Sequence, residues 1–353
     1  MSQYAHLSDP DPEFSDAFSK LPIRPPPLDP LQAIRGLMTD LAATTKTHNR
    51  SKLPDASSYS VEDCKITVKG GEITIRCTKP TPTSGEVPAF PVLFWAHGGG
   101  CVSGDLELDD FPNRILCAKY RISIVSVDYR LAPEHPFPIG LNDCYSALKW
   151  VGRGSAQYLL FPLLMYDQTV ENAPRIFGDP TKGFLVGGNS AGAYLATVVA
   201  HRARDDAFFR NHKVTGQILQ YPRVLARAAS PPQYKDQLLS MEQNKDGPGL
   251  TAASIDWIAG LVKAPPADPE YSPLLAAHEG LAPAYIQVCG LDPLRDEALL
   301  YERLLREAGV KTKLDIYPGV PHGFNFAFPQ LAASVKFEAD LNFGLAWLLD
   351  AKV

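Results

Sequence analysis

The pentapeptide Gly188-Asn-Ser-Ala-Gly192 is the first feature of this sequence whose residue types could do chemistry. It follows a buried-strand pattern at 183–186 and opens an alanine-rich helical pattern at 191–204. A serine at such a sharp turn from strand to helix is exposed at the edge of a sheet, and flanking glycines remove side chains that would clash there. We therefore predict that Ser190 is a nucleophile; the alternative is a glycine-rich helix entry without chemistry.

A serine hydroxyl needs a general base and an acid that orients the base, because it is a weak nucleophile at neutral pH. Of the eight histidines, His322 follows the last predicted strand in a turn rich in proline and glycine. Asp292 also follows a strand pattern, whereas Asp296 begins a helix and is an alternative explained by the helix dipole. The sequence predicts a triad of Ser190, Asp292 and His322.

A glycine-rich loop, His97-Gly-Gly-Gly100, follows the strand pattern at 91–96. Attack on a carbonyl carbon creates an oxyanion, and backbone N–H groups of such a loop are suitable donors to it. A phosphate-binding loop is the alternative, but neither G-x-G-x-x-G nor a P-loop lysine is present. We expect His97 to organise its loop. The predicted oxyanion donors are Gly98, Gly99, Gly100 and Ala191.

The composition limits the classes of function. The 353 residues are 45% hydrophobic and carry a net charge of −5, which is typical of a globular protein and argues against a nucleic-acid partner. The six cysteines form no C-x-x-C pair, so neither a metal site nor a redox couple is predicted. The first residues are polar and acidic and no apolar run reaches membrane-spanning length, so we expect a cytoplasmic protein without a membrane span.

The elements that must position these residues alternate along the chain. Gly70-Gly71 joins two alternating segments in a predicted hairpin. Alternation of strands and helices predicts an α/β fold with a central, mostly parallel sheet and helices on both faces. The strand patterns after the hairpin are 91–96, 122–127, 183–186, 216–221, 284–289 and 313–317, and the helical patterns between them are 114–120, 141–151, 191–204 and 295–308.

Two segments break this alternation and predict a cap. Prolines crowd residues 22–30 ahead of an amphipathic helical pattern at 31–41, and residues 222–273 form a polar, proline-punctuated insertion with a helix near 251–261. Ligands bind at the carboxyl ends of parallel strands, so we expect a single domain, 1–353, with a helical cap from about 1–55 and 222–273.

The side chains that shape a pocket are less clear from the sequence. Phe14, Phe18 and Trp257 could line a pocket or pack the cap, and packing is favoured. The apolar segment Tyr158–Met165 lies within an unusual stretch at 152–171 and could be core, a pocket wall or an oligomer contact, of which core is favoured.

The motifs together resemble one family. His97–Gly100, the segment Asp128–Glu134 (DYRLAPE), Gly188–Gly192 and a histidine followed by Gly-Phe occur in the order of the hormone-sensitive-lipase group of α/β-hydrolases. The resemblance covers roughly residues 60–350, and within the group the chain is similar to fungal secondary-metabolism esterases. It implies an eight-stranded sheet with a helical cap, no metal or cofactor, and esterase activity on short or medium acyl chains. Asn189 stands where many members carry Asp, which we expect the chemistry to tolerate.

The sequence therefore predicts a serine carboxylic-ester hydrolase acting on a small-molecule ester. An acyltransferase, lactonase or cyclising enzyme would use the same triad and is the first alternative. A non-catalytic ligand-binding protein is the second, and intact triad residues argue against it. The sequence leaves the natural substrate open, and it is compatible with a homo-oligomer.

Overall fold

The computed structural model describes residues 3–22, 28–155 and 176–350. Eight strands within them form one sheet in the order β1-β2-β4-β3-β5-β6-β7-β8. The first three in this order pair antiparallel and all later neighbours pair parallel, which confirms the predicted class. The strands are β1 (Tyr59–Val68), β2 (Gly71–Pro80), β3 (Val92–Ala96), β4 (Ser123–Asp128), β5 (Phe184–Asn189), β6 (Gly216–Gln220), β7 (Ala284–Leu291) and β8 (Thr312–Pro321).

The described helices are α1 (Pro12–Ser19), α2 (Pro30–Asn49), α3 (Asp110–Tyr120), α4 (Ile139–Ser155), α5 (Ala191–Asp205), α6 (Ser240–Gln243), α7 (Ala252–Val262), α8 (Arg295–Glu307), α9 (Phe324–Ala327) and α10 (Ala332–Asp350). The predicted helical patterns are found in place, with α2, α3 and α4 longer than predicted, whereas α1, α6, α9 and α10 were not predicted. Helix α3 begins before the predicted start at 114, because Pro112 is tolerated in a first turn. Helix α2 continues past residue 41 because its buried face continues with the polar residues Thr45 and Asn49.

Both faces of the sheet are covered, as strand β3 illustrates. Its side chains alternate between two apolar clusters, Phe94 lying in one and Trp95 in the other. The first cluster includes residues of α4 and α5, and the second includes residues of α3 and α10. Helices therefore lie on both faces, and the parallel strands are buried between them.

Two glycines permit the close packing of α5 on the end of β3. A Cβ atom on Gly188 would lie 2.4 Å from the carbonyl oxygen of Ala96, and one on Gly192 would lie 2.0 Å from the same atom. Backbone groups cannot move aside as a flexible side chain can, so only glycine fits. This packing brings the turn after β5 against the loop after β3.

The N-terminal part of the described chain lies against the edge of the sheet at which the parallel strands end. The backbone N–H of Asp11 donates to the carbonyl oxygen of Gly319 at 3.0 Å. In α2, Arg35 donates to the carbonyl oxygen of Val102 at 3.0 Å and pairs with Glu134 at 2.7 Å. Residues 3–19 and α2 therefore border the ends of the strands.

The insertion at 222–273 carries α6 and α7. Thr251 caps α7 by accepting a hydrogen bond from the backbone N–H of Ser254, whose hydroxyl accepts one from the N–H of Thr251. The helix thus begins within one residue of its predicted start. Two predictions, the proline-rich residues 23–27 and the apolar segment at 158–165, lie outside the described residues. In the part of the chain that the structure describes, no helix is long and apolar enough to cross a membrane.

Candidate active site

Ser190 lies in a strained turn between β5 and α5. Its φ of 53° and ψ of −118° place a non-glycine residue in a region that L-amino acids rarely adopt. The turn is held from two sides, because the N–H of Ser190 donates to the carbonyl oxygen of Gln220 at 2.9 Å and its carbonyl accepts from the N–H of Tyr194 at 3.0 Å. Surrounding structure must support such strain, which is concentrated at functional sites.

The three predicted triad residues meet at the carboxyl edge of the sheet. Nε2 of His322 lies 2.7 Å from the Ser190 hydroxyl, and Nδ1 lies 2.7 Å from Oδ2 of Asp292. The His322 side chain is 11% exposed and the Asp292 side chain 2% exposed, so the carboxylate is shielded from water. The N–H of Leu294 donates to the other carboxylate oxygen at 2.8 Å, and the ring of Tyr221 packs edge-on against His322 at 4.8 Å.

Asp296, the alternative acid, points elsewhere. It pairs with Arg295 at 2.8 Å, and both side chains are almost fully buried. Its other oxygen accepts hydrogen bonds from the backbone N–H groups of Leu239 and Ser240 at 2.9 and 2.7 Å. This carboxylate holds the start of α6 against α8 and does not contact His322.

The loop after β3 is folded by its own backbone contacts. The carbonyl oxygen of Gly99 accepts from the N–H groups of Val102 and Ser103, at 3.1 and 3.0 Å. The φ angles of Gly99 and Gly100 are +113° and +66°, which favours glycine at both positions. Among the described residues, no hydrogen bond is donated by the N–H of Gly98, Gly99, Gly100 or Ala191.

His97 supports this loop from behind. Its Nδ1 lies 2.7 Å from the carbonyl oxygen of Gly98, and its ring stacks on Tyr129 with centroids 4.3 Å apart. Complete burial lowers the pKa of His97 to about 4, so the ring stays neutral at neutral pH. Nδ1 therefore carries the proton and donates to Gly98, which agrees with the predicted role of His97 as a loop organiser.

A buried carboxylate that the sequence analysis missed, Asp109, lies behind the turn that carries Ser190. The Nδ2 group of Asn189 donates to both of its oxygens at 3.0 Å. Burial raises the pKa of Asp109 to about 6. An aspartate at 189 would set two carboxylates against each other, so the Asn at this position fits its neighbour. No motif of the sequence contains Asp109, so nothing in the sequence signalled this contact.

A cavity of about 180 Å³ opens over the serine. Ser190 and Ala191 line it together with Gly100, whereas Gly98 and Gly99 do not. The remaining lining comes mainly from residues 223–228 and 250–271 of the insertion, with Ile258 of α7 lying over Gly100. The cavity is therefore floored by the strand ends and walled by the insertion.

Phe14, Phe18 and Trp257 are not among the residues that line this cavity. Phe14 is buried and packs against Phe18 and Phe328, with ring centroids 5.5 and 5.6 Å apart. Among the described residues, no group of three or more His, Cys, Asp or Glu side chains is placed to hold a metal ion.

The comparisons with known proteins agree on one family. A family model described as an alpha/beta hydrolase fold matches residues 93–326. A versiconal hemiacetal acetate esterase of Dothistroma septosporum is 33% identical over 268 residues, which cover 75% of each chain. The carboxylic ester hydrolase LipN of Mycobacterium tuberculosis is 37% identical over 270 residues, which cover 75% of this chain and 64% of that one.

A solved structure adds a second kind of activity. The crystal structure of a vibralactone cyclase superposes with a TM-score of 0.90 at 37% identity, covering 98% of this chain and 96% of that one. Chains that act as esterases and a chain named as a cyclase are therefore both similar to this one.

Proposed function

The chain belongs to the alpha/beta hydrolase fold family, and from this premise we propose that it is a serine carboxylic-ester hydrolase for short to medium acyl esters. The observation that carries the proposal is the hydrogen-bonded line from Asp292 through His322 to Ser190, which ends at a cavity. The named esterase relatives support the same activity. The versiconal hemiacetal acetate esterase also supports a role in secondary metabolism.

The first half of the reaction forms an acyl-enzyme. Nε2 of His322 takes the proton of the Ser190 hydroxyl as its oxygen attacks the ester carbonyl carbon. Asp292 accepts a hydrogen bond from Nδ1–H and stabilises the imidazolium. The oxyanion accepts hydrogen bonds from backbone N–H groups, for which Gly100 and Ala191 are the best placed because both line the cavity. His322 then gives its proton to the leaving alcohol.

The second half repeats these roles with water. His322 takes a proton from a water molecule that attacks the acyl carbon, and the Ser190 oxygen recovers the proton when the acid leaves. The same N–H groups receive the second oxyanion. Both halves need backbone N–H donors that are not already engaged before the substrate binds. Among the described residues, the N–H groups predicted as donors make no other hydrogen bond.

The experiment is hydrolysis of p-nitrophenyl esters from acetate to decanoate. We expect turnover that is fastest on the shorter chains, because the cavity is small. Ser190→Ala should lose about 10⁴-fold or more in kcat, whereas the matched change Ser146→Ala, in α4, should keep the wild-type rate. An unchanged rate in Ser190→Ala would refute the proposal.

A second candidate is transfer of the acyl group to an alcohol, or internal cyclisation, instead of hydrolysis. The observation that favours it is the close superposition with a vibralactone cyclase. The nucleophile and the oxyanion donors would be the same, and exclusion of water by the insertion would decide the outcome. Product analysis in the presence of a competing alcohol separates the two: transfer produces a new ester, whereas hydrolysis produces only the acid at every alcohol concentration.

Ligand binding without catalysis is the third candidate function. A neutral fluorophosphonate reacts only with an activated serine, so labelling of Ser190 would exclude this reading. Failure of labelling together with no turnover on any ester would support it. The cytoplasmic location and a homo-oligomeric state stay predictions.

A further inference from the structure

Arg223, which lies three residues after the end of β6, lines the same cavity as Ser190. Its Nη1 donates to the carbonyl oxygen of Tyr271 at 2.7 Å. The guanidinium lies over the ring of Tyr271 at 3.8 Å and over the ring of Tyr194 at 5.0 Å. A cation is thus held between aromatic faces inside the candidate active site.

Arg223 forms no direct ion pair among the described residues, and the acidic group that interacts with its charge at longer range is Glu297. The buried Nη2 atom of Arg223 has no hydrogen-bond partner among these residues. Glu297 of α8 lies near the same turn in space, where its Oε1 accepts hydrogen bonds from the backbone N–H groups of Val224 and Leu225. Burial raises the pKa of Glu297 to about 8, which weakens its compensation of the Arg223 charge near neutral pH.

Another arginine on the same cavity provides a contrast. Arg227 lies at the exposed rim and pairs with Asp256 at 3.2 Å. Its charge is solvated and already has a partner. Arg223 instead has an N–H donor, at Nη2, without a partner among the described residues. A buried donor without a partner costs free energy, which a bound acceptor would recover.

The aromatic rings do not replace such an acceptor. Rings interact with the face of a guanidinium, whereas its N–H groups point outward in the plane of the group. A carboxylate matches the in-plane donors and carries the opposite charge. A neutral ester oxygen would pair with one N–H but leave the charge uncompensated.

We propose that Arg223 binds a carboxylate of the substrate, so that the natural substrate is an anionic ester that carries a free carboxylate near the scissile bond. This inference rests on the proposed function of Ser190. The carboxylate can belong to the acyl half, as in a half-ester of a dicarboxylic acid, or to the alcohol half, as in an acylated hydroxy acid. Both sources present the same group to Arg223.

The experiment compares two pairs of esters of matched length. Monoethyl succinate against ethyl butyrate tests the acyl half, with released ethanol as the readout. 3-Acetoxypropanoate against propyl acetate tests the alcohol half, with released acetate as the readout. We expect the wild-type enzyme to show a kcat/KM about tenfold to a hundredfold higher for the anionic member of one pair, the size typical of a hydrogen bond to a charged group. Preference for the neutral ester in both pairs would overturn the proposal.

Variants then assign the preference to this residue. Arg223→Met should lower the anionic-to-neutral ratio of kcat/KM by about the same factor, and Arg223→Lys should lower it less. Arg306→Met, an exposed change of the same charge on α8, should leave the ratio as in the wild type and so controls for net charge. A ratio that survives in Arg223→Met would contradict the assignment; if that variant is not recovered folded, Arg223→Lys decides in its place.

A binding measurement separates failure of this inference from failure of the proposed function. Calorimetry with the Ser190→Ala variant should detect the preferred anionic ester, and adding Arg223→Met should weaken binding at least tenfold. Absence of fluorophosphonate labelling in the wild-type enzyme would refute the hydrolase and leave this test intact. Equal binding with and without Arg223 would refute the carboxylate site and leave the hydrolase intact.

Discussion

The strand ends and the insertion at 222–273 contribute to one cavity in different ways. At the strand ends, Ser190 follows β5 directly, and His322 and Asp292 each come one residue after β8 and β7. In the insertion, the residues that line the cavity come from irregular turns and from α7. The sheet fixes the three predicted triad residues through its register, whereas the residues of the insertion set much of the shape and charge of the cavity.

The largest expected effect is on the strand-end side. Asp292→Asn should lower kcat about 10⁴-fold, because an amide favours the wrong tautomer of His322 and cannot stabilise its positive charge. The measurement is kcat on a short p-nitrophenyl ester, together with the free energy of unfolding.

Asp296→Asn is the matched control for that substitution. Asp296 lies four residues away and pairs with Arg295, so we expect its loss to lower the free energy of unfolding while the folded fraction keeps its kcat. If Asp296→Asn abolished kcat and Asp292→Asn did not, the assignment of the acid would be reversed.

The second effect tests the loop after β3. A Cβ atom on Gly98 would lie 2.3 Å from Oδ1 of Asn189, and Asp109 holds that side chain in place. Gly98→Ala should therefore displace the oxyanion donors and lower kcat about 100-fold. Gly36→Ala, where a Cβ atom meets nothing within 4 Å, should leave kcat unchanged. Equal kcat values in the two variants would show that the loop tolerates the displacement.

The third effect concerns the junction between the two regions, where Glu297 anchors the start of the insertion. Its pKa is raised from an ordinary 4.5 to about 8, so the folded state keeps a proton that the unfolded state has lost. The contribution of this group to the free energy of unfolding is therefore greatest at low pH and falls as the pH rises toward 8. From pH 5 to pH 7 we expect the fall to be about 2 kcal/mol.

Glu297→Gln keeps an acceptor for the two N–H groups and removes the titration. Denaturant unfolding of both proteins at several pH values gives the difference, in which all other titrating groups cancel. A difference that stays constant from pH 5 to pH 7 would contradict the raised pKa.

The smallest effect lies on the insertion side. Ile258 lies over Gly100, and its side chain fills space that a longer acyl chain would need. Ile258→Ala should shift the ratio of kcat/KM for octanoate to butyrate esters about tenfold toward the longer chain. Val335→Ala, on an exposed part of α10, removes apolar atoms away from the cavity and should not change the ratio. A lower kcat on every ester, with the ratio unchanged, would place Ile258 with the catalytic groups instead.

The same contrast explains what the sequence could predict. Ser190, Asp292 and His322 each follow a strand with a recognisable pattern, and parallel topology brings strand ends together, so local patterns sufficed. Arg223 and Asp109 belong to no motif. A half-buried arginine on two tyrosine rings and a buried carboxylate beside an asparagine are defined only by contacts between residues distant in the sequence. The extent of α2 was missed for a related reason, since Thr45 and Asn49 are polar residues on its buried face.

The docking of residues 5–11 on the sheet edge has a consequence for the order of assembly in time. Ser8 bonds to Arg295 and to the carbonyl oxygen of Gly290, which is 282 residues later in the chain, and a side chain on Gly290 would collide with the backbone of Leu7. On the ribosome the front segment is made first, yet its binding place exists only once β7 and β8 have been made. The entropic cost of so long a loop grows only slowly with length. The delay is therefore a matter of synthesis time more than of entropy. We expect the segment at 5–11, which lies beside Asp292, to dock among the last parts of the fold.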